Sequence, residues 1–411
     1  MNPQNTPDFY TGAPVDPTDL RFRDQFLKDL WKALATKHVL LTAPRRTGKT
    51  SVMDHLRDFP AKGYSVISVN VQDLSHPADF FQTLLDAFHD AHPALVRDTI
   101  AKGWELLGKA FAKIKDASFA GFKLALREAD PNWRQNWRLH GTQFLQRARA
   151  SETPILFIVD ELPDMLINLA REDEQCLREF LAWFRTQRLK PAPKKDSLRW
   201  LVGGSVNLSS TLDERGMVDL INDFEDVSLP VLDVDQIETF VHEMLQSRGV
   251  PHDESVPMRL ITRLGRPIPL FMQMATQDLY RRWKRDGHPL TGADVDAVFD
   301  SLITTSAARD KLQHFYSRIS QYYAEPKRSI AYSLLSAISL TDEGETREKL
   351  LVLTERMLAD AGETIPAHAR IQLFNQLLRD LENDFYVAET EEDIYEFASG
   401  VLKVWWRKYY A

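Results

Sequence analysis

Residues 38–51 read His-Val-Leu-Leu-Thr-Ala-Pro-Arg-Arg-Thr-Gly-Lys-Thr-Ser, and this stretch decides the fold class. His38 to Thr42 form a short, mainly apolar run that is typical of a buried strand. A loop ending in Gly48-Lys49-Thr50 follows, and Ser51 to Phe59 suit a helix. Backbone N–H groups of such a loop and the helix N-terminus point at a common centre, so this order predicts a phosphate-binding loop. An ordinary strand-to-helix turn is the alternative interpretation.

Side-chain chemistry assigns roles within this loop. We expect Lys49 to reach the β- and γ-phosphates of a nucleotide and the Thr50 hydroxyl to join the shell of a Mg²⁺ ion. Gly48 allows the backbone to approach the nucleotide closely. The usual pattern begins with glycine where this sequence has Ala43, so the first turn must accommodate a Cβ atom. The predicted nucleotide contacts are Ala43, Pro44, Arg45, Arg46, Thr47, Gly48, Lys49, Thr50 and Ser51.

A second candidate site follows the apolar run Ile155 to Val159, which is too short for a typical helix and suits a strand buried on both faces. The run ends in Asp160-Glu161, and the carboxyl ends of parallel strands are where such sheets bind their ligands. We expect Asp160 to hold Mg²⁺ through water and Glu161 to polarise the attacking water. A solvated acidic pair after a core strand is the alternative.

The remaining strand patterns support a single sheet. Helical patterns separate the strands, which predicts an α/β fold with a doubly wound, mostly parallel, five-stranded P-loop core. The nucleotide is then expected across the carboxyl ends of the first and third strands. The five predicted strands are His38–Thr42, Tyr64–Val71, Ile155–Val159, Leu198–Gly203 and Val227–Leu232.

These motifs resemble the archaeal-type ATPase group of the STAND/AAA+ P-loop NTPases, over essentially the whole chain. Ala-Pro-Arg-Arg in the loop is similar to a familiar variant of that group, and Phe22-Arg23-Asp24 resembles its Arg–acid element before the first strand. Residues 201–207 resemble its sensor-1 strand end, which implies a polar residue facing the γ-phosphate, Ser205 first and Asn207 second. Residues 264–269 resemble the Gly-x-Pro motif of the helical lid. The resemblance implies that Arg23 and Pro267 contact the nucleotide and that Glu161, Lys49 and Ser205 are catalytic.

An arginine finger is in doubt. Many AAA+ ATPases use an arginine that completes the site of a neighbouring subunit. Between the sensor-1 motif and the last predicted strand this chain offers only Arg215, which is more simply interpreted as a surface residue. The oligomeric state therefore stays open.

The rest of the chain divides into two further regions. The predicted domains are an ATPase core over residues 1–232, a helical lid over 233–303 and a winged-helix domain over 304–411. The last domain combines helices with a hairpin pattern at Phe385 to Phe397. Residues 305–411 hold 13 basic and 17 acidic side chains, and the predicted wing is acidic, so this domain is expected to face protein rather than DNA.

Composition limits the remaining function classes. The chain has 411 residues, a net charge of −8 and one cysteine, Cys176, so it forms no internal disulfide. Neither a signal-peptide pattern nor an apolar run of membrane-spanning length occurs, which predicts a cytoplasmic protein without a membrane partner. A basic insertion near residues 97–149 mixes cations with aromatic residues, as a single-strand groove would. Amphipathic helices packed on a core give the same pattern.

Together these features predict an enzyme that binds ATP with Mg²⁺ and hydrolyses it slowly. We expect the nucleotide to set a conformational switch that acts on a separate, unidentified protein partner. The alternative is a DNA-binding AAA+ ATPase of the initiator or transposition-regulator type. A pseudo-ATPase that binds nucleotide without cleaving it is a third hypothesis.

Overall fold

The computed structural model describes residues 8–43, 46–91, 130–190, 198–204, 208–213, 215–266, 268–363, 365–391 and 393–411. Contacts between Cα atoms divide the chain into two compact units. The core unit comprises Asp16–Thr42 and Lys49–Leu229. The C-terminal unit comprises Met1–Val15, Ala43–Gly48 and Pro230–Ala411. The predicted boundaries at residues 232 and 303 stay predictions.

A five-stranded parallel sheet in the order β2-β3-β4-β1-β5 forms the centre of the core unit. This sheet confirms the predicted α/β fold class. Its strands are β1 (Val39–Thr42), β2 (Ser65–Asn70), β3 (Ile155–Asp160), β4 (Leu198–Gly204) and β5 (Glu225–Ser228). The helices of this unit are α1 (Asp24–Thr36), α2 (Lys49–Asp58), α3 (Pro77–Ala91), α4 (Trp137–Arg149), α5 (Leu162–Glu172), α6 (Glu174–Leu189) and α7 (Leu208–Asp213).

Burial explains why the central strands are apolar. Every residue of β1 and β3 is buried, as the sequence predicts for strands covered on both faces. Phe157 of β3 stacks on Trp200 of β4 with ring centroids 4.9 Å apart. Phe80 of α3 and Phe184 of α6 belong to the same buried cluster, so the sheet and its helices share one core.

The position of the fifth strand differs from the predicted Val227–Leu232. Glu225 to Ser228 pair in parallel with Val39 to Thr42, so the strand begins two residues earlier and ends sooner. An edge strand pairs on one side only and can carry exposed acids. The start of β5 therefore lacks the apolar run that indicates a buried strand. Pro230 lacks a backbone N–H, and the last sheet-like hydrogen bond comes from the N–H of Leu229 to the carbonyl of Thr42.

The C-terminal unit begins with the helical region predicted as the lid. Its four helices are α8 (Val234–Gln246), α9 (Ser255–Leu264), α10 (Pro269–Asp286) and α11 (Gly292–Thr304). Asp233 caps α8 through a capping box with Gln236. Leu260, Phe271 and Phe299 are among the side chains that its core buries.

Helices and a small antiparallel sheet in the order β6-β8-β7 complete this unit, as the predicted winged helix requires. The strands are β6 (Glu345–Thr346), β7 (Val387–Glu391) and β8 (Ile394–Phe397). The helices are α12 (Ser306–Tyr322), α13 (Lys327–Leu340), α14 (Arg347–Asp360), α15 (Ala367–Asn383) and α16 (Gly400–Tyr409). No helix among the residues with described structure is long and apolar enough to cross a membrane.

A close backbone contact joins the end of α9 to the start of α16. Gly265 pairs with Ser399 in an isolated antiparallel bridge, and the N–H of Arg266 donates to the carbonyl of Ala398 at 2.8 Å. A Cβ atom placed on Gly400 would overlap the carbonyl oxygen of Arg263. Glycine is therefore needed at position 400, and this contact, the 265–400 seam, admits no side chain.

Candidate nucleotide site

The loop between β1 and α2 obtains its shape from left-handed backbone at two positions. Gly48 has a φ of +100° and Arg46 a φ of +67°, whereas Ala43 does not have a positive φ. The Cβ atom of Ala43 therefore adds no strain, and the glycine of the usual pattern is not required at this position. The strain lies instead at Arg46, a residue type that seldom adopts this conformation.

Helix α2 begins at Lys49, two residues earlier than predicted, so both key side chains lie in its first turn. The Nζ atom of Lys49 lies 3.5 Å from Oδ1 of Asp160 and 3.6 Å from Oε2 of Glu161. The Thr50 hydroxyl donates to Oδ2 of Asp160 at 2.8 Å. Lys49, Thr50, Asp160 and Glu161 thus form one cluster within the core unit, as required if they share one ion.

The sheet topology explains this meeting. Strand β4 lies between β1 and β3, so the chain leaving β1 and the end of β3 are two strands apart at the same sheet edge. Lys49 is long enough to bridge that distance, and its ammonium group and Asp160 are both largely buried. Burial strengthens their attraction, because the surroundings are less polar than water.

The oxygen atoms at this cluster fit a magnesium ion. Mg²⁺ prefers hard oxygen ligands, keeps several waters and is commonly bound by one or two protein groups together with phosphates. The Thr50 hydroxyl and the Asp160 carboxylate offer such oxygens side by side. In the described part of the chain no group of three or more His, Cys, Asp or Glu side chains could hold a metal ion.

Glu161 is held in an unusual conformation. It has φ +58° and ψ +36°, the left-handed region, and it precedes the first residue of α5. Its backbone N–H donates to Oδ1 of Asp160 at 3.0 Å, and its side chain is only partly buried. This backbone directs the two adjacent carboxylates to the same side chain, Lys49. No local pattern in the sequence indicates this conformation.

Gly203 lies against this cluster and is not among the predicted site residues. A Cβ atom at this position in β4 would lie 2.5 Å from Oδ1 of Asp160 and 2.6 Å from Cε of Met53. Only glycine therefore leaves Asp160 room to adopt its observed position. The signal was present as Gly203-Gly204 at the end of an otherwise apolar strand, since strand glycines often mark a close approach.

Comparisons with solved structures agree with this topology. A Walker-type ATPase of Pyrococcus abyssi superposes with a TM-score of 0.59 at 17% identity, covering 97% of this chain and 99% of the other. This chain shares the fold of that ATPase. The ORC2 protein of Aeropyrum pernix, solved as ADPNP–ADP complexes, matches with a TM-score of 0.53 at 14% identity, covering 94% and 92% of the two chains. A scan of protein-family models and a search of curated proteins gave no match.

The structure describes only some of the other predicted site residues. Arg23 is buried at the start of α1, and this burial lowers the pKa of its guanidinium to about 10. Its contact with nucleotide stays a prediction. Arg215 is half-buried, and its carbonyl accepts from Arg178, so its side-chain role stays untested. Five predicted site residues lie outside the described ranges, namely Pro44, Arg45, Ser205, Asn207 and Pro267.

Proposed function

We propose that this chain is a Mg²⁺-dependent ATPase that binds ATP at the Lys49 cluster. The observation that carries the proposal is the approach of Lys49 to Asp160 and Glu161, together with the bond from Thr50 to Asp160. A cation for phosphate, oxygen ligands for a metal and a carboxylate for water thus lie within one cluster. The adenine nucleotides of the Aeropyrum complexes support ATP as the nucleotide.

Each side chain has a distinct task in this proposal. Lys49 exchanges its two carboxylate neighbours for phosphate oxygens, and Thr50 and Asp160 hold the Mg²⁺ ion, which neutralises phosphate charge when bound. Glu161 orients water and accepts its proton, while its partial exposure leaves a route for that water. Gly203 keeps Asp160 in place. Hydrolysis is slow in this proposal.

Calorimetric titration of the purified protein tests the nucleotide proposal. We expect one ATP to bind per chain, more tightly with Mg²⁺ than with excess EDTA, because a metal between Thr50 and the phosphates adds a favourable contact. Phosphate release should likewise require Mg²⁺. Failure of ATP to bind at millimolar concentration, with the protein shown to be folded by circular dichroism, would contradict the proposal.

The variant Gly203→Ala tests whether the space at position 203 keeps the Asp160 carboxylate in place. The added Cβ atom must push away the Asp160 carboxylate or Met53, both side-chain ends that can move. We expect Mg²⁺-dependent hydrolysis to fall about 10- to 100-fold, the usual cost of losing support around a metal ligand. Gly204→Ala is the matched control, because the three atoms nearest its Cβ atom belong to Leu40, Pro163 and Leu208 and not to Asp160. Equal hydrolysis rates in the two variants would remove the role of Gly203.

We further propose that the nucleotide controls a conformational switch read by a protein partner of the winged-helix region. Two features of this region disfavour DNA. Arg370 on α15 lies 3.4 Å from Glu355, so one of the two cations of that helix already faces an acid. Glu389 and Asp393 are exposed at the wing and would repel phosphates. Capture of partners from native extract by ATP-loaded protein tests this part of the proposal.

Residues 130–149, the described part of the basic insertion, give no independent support for nucleic acid. In its described part, Trp133 and Trp137 are buried in the core. Arg134 pairs with Asp79, and Arg138 pairs with Glu179. These features match an amphipathic helix packed on a core rather than a stacking groove. DNA binding that weakens steeply as salt rises would instead favour the initiator-type alternative.

A further inference from the structure

Two histidines face each other at the surface of the C-terminal unit. His242 is exposed on α8, and His252 is half-buried in the segment that leads to α9. The Nδ1 atom of His242 lies 3.0 Å from Nε2 of His252, and the planes of the two rings meet at 67°. Neither residue has a task in the proposed nucleotide chemistry, so that chemistry does not explain the contact.

The distance between these two nitrogens fits a shared metal ion. Zinc binds imidazole nitrogen at about 2.0–2.1 Å, which places two such ligands of one ion roughly 2.9–3.4 Å apart for bond angles between a right angle and a tetrahedral one. The observed 3.0 Å lies within that range. Imidazole is a good ligand for Zn²⁺, Cu²⁺ and Ni²⁺, whereas Mg²⁺ prefers oxygen. The pair therefore suits a zinc-type ion and not the ion of the nucleotide cluster.

The proton positions leave a lone pair for the ion. Nδ1 of His252 lies 2.9 Å from the carbonyl oxygen of Val250, and this oxygen can only accept, so Nδ1 carries the proton. In the neutral ring, Nε2 then directs its lone pair to His242. A backbone carbonyl on the other ring nitrogen is a contact that metal-binding histidines usually make. Without a metal His242 donates to this lone pair, and it frees its own Nδ1 for the ion when its proton moves to Nε2.

The backbone fixes both histidines before any ion binds. His252 forms a parallel bridge with Leu290, and the N–H of Asp253 donates to the carbonyl of Leu290 at 3.0 Å. His242 belongs to a regular helix and follows the buried Val241. Since both side chains start from anchored backbone positions, binding of an ion requires little ordering of the chain.

The surroundings of the pair are acidic. Glu238 is exposed one turn before His242 on the same face of α8, and Asp253 is exposed directly after His252. Oδ1 of Asp253 already accepts from Ser255, so this acid adds negative potential rather than a ligand. Among the residues that the structure describes, no further His, Cys, Asp or Glu joins the pair to make a group of three, so water completes the shell of the ion.

We propose that Nδ1 of His242 and Nε2 of His252 bind a zinc-type divalent ion. The ion joins α8 to the segment before α9 and so closes the loop between the two helices. An ion that binds the folded unit and not the unfolded chain stabilises the folded unit. The inference is independent of the ATPase proposal, because the histidine pair and the Lys49 cluster belong to different units.

Calorimetric titration of Zn²⁺ into nucleotide-free protein tests the site, with the protein purified without a histidine tag and kept in excess MgCl₂. We expect one Zn²⁺ to bind per chain. His242→Ala and His252→Ala should each weaken binding at least about 10-fold, because even the loss of a partner around a metal ligand costs roughly 10- to 100-fold. Absence of Zn²⁺ binding at submillimolar concentration in folded wild-type protein would overturn the inference.

His288→Ala is the matched control. His288 is exposed in the same unit, and its Nδ1 atom also faces a backbone carbonyl, that of Pro289. Its Nε2 atom, however, lies 3.8 Å from Asp294 rather than beside a second imidazole. The Zn²⁺ affinity of this variant should equal that of the wild type. Equal affinities in His252→Ala and His288→Ala would refute the site.

Thermal unfolding provides a second measurement of the same site. Saturating Zn²⁺ should raise the Tm of the wild type and of His288→Ala, and it should leave the Tm of His242→Ala at its zinc-free value. Because His242 is exposed, its replacement by alanine is expected to leave the fold intact. A rise in Tm of equal size in all three proteins would place zinc binding elsewhere and would overturn the inference.

Discussion

Glu161→Gln is expected to bind ATP and to lose hydrolysis by about 10²- to 10⁴-fold, the usual contribution of a general base. Glutamine keeps the length of the side chain but cannot accept a proton from water. Affinity for ATP should be equal or slightly higher, because Lys49 loses one of the two carboxylates that hold it. Single-turnover phosphate release and parallel calorimetry measure the two quantities.

The control for this variant is Glu172→Gln, an exposed acid at the end of α5, the helix that Glu161 precedes. It removes one charge from the core unit without touching the cluster, so its hydrolysis should match that of the wild type. If Glu161→Gln cleaves ATP within threefold of the wild-type rate, the base lies elsewhere. A wild-type protein that binds ATP but never cleaves it would instead be the pseudo-ATPase of the third hypothesis.

Lys49→Ala is expected to weaken ATP binding roughly 10- to 100-fold, since a hydrogen bond to a charged group contributes about 1.5–3 kcal/mol. The nucleotide-free protein should also lose stability. Asp160 and Glu161 would then be neighbouring acids without the ammonium group that faces both, and an uncompensated buried charge is unfavourable. Calorimetry measures the first effect, and urea unfolding without nucleotide measures the second.

Lys62→Ala is the control, because this lysine is exposed and lies after α2 rather than in its first turn. ATP affinity equal in the two variants would remove the basis of the nucleotide proposal. Both expected effects are present if Lys49→Ala is less stable than the wild type, does not bind ATP and is not stabilised by added ATP.

The sequence predicted those parts of the fold in which burial and local pattern agree. Four strands were located within a residue or two, because short apolar runs between helical patterns indicate central parallel strands. The fifth strand was misplaced because an edge strand is stabilised by pairing along one side, which places no demand for apolar residues on Glu225 and Asp226. Pairing between distant segments is not visible in a local pattern.

The candidate site was predicted by residue type but not by geometry. Lys49, Thr50, Asp160 and Glu161 each belong to a motif, and motif order placed them at one sheet edge. The left-handed backbone of Glu161 and the space that Gly203 provides depend on neighbouring strands instead.

The 265–400 seam limits how this protein can be taken apart. Any shortened chain that stopped at residue 304 would leave the carbonyl of Arg263 without the glycine that fits against it and would uncover Phe299, which lies close to Gly400. Conversely, a transplant of the winged helix onto another protein would need to carry residues 263–266 with it. Because of the seam, the helical region and the winged-helix region would have to be exchanged together, as one segment larger than either region.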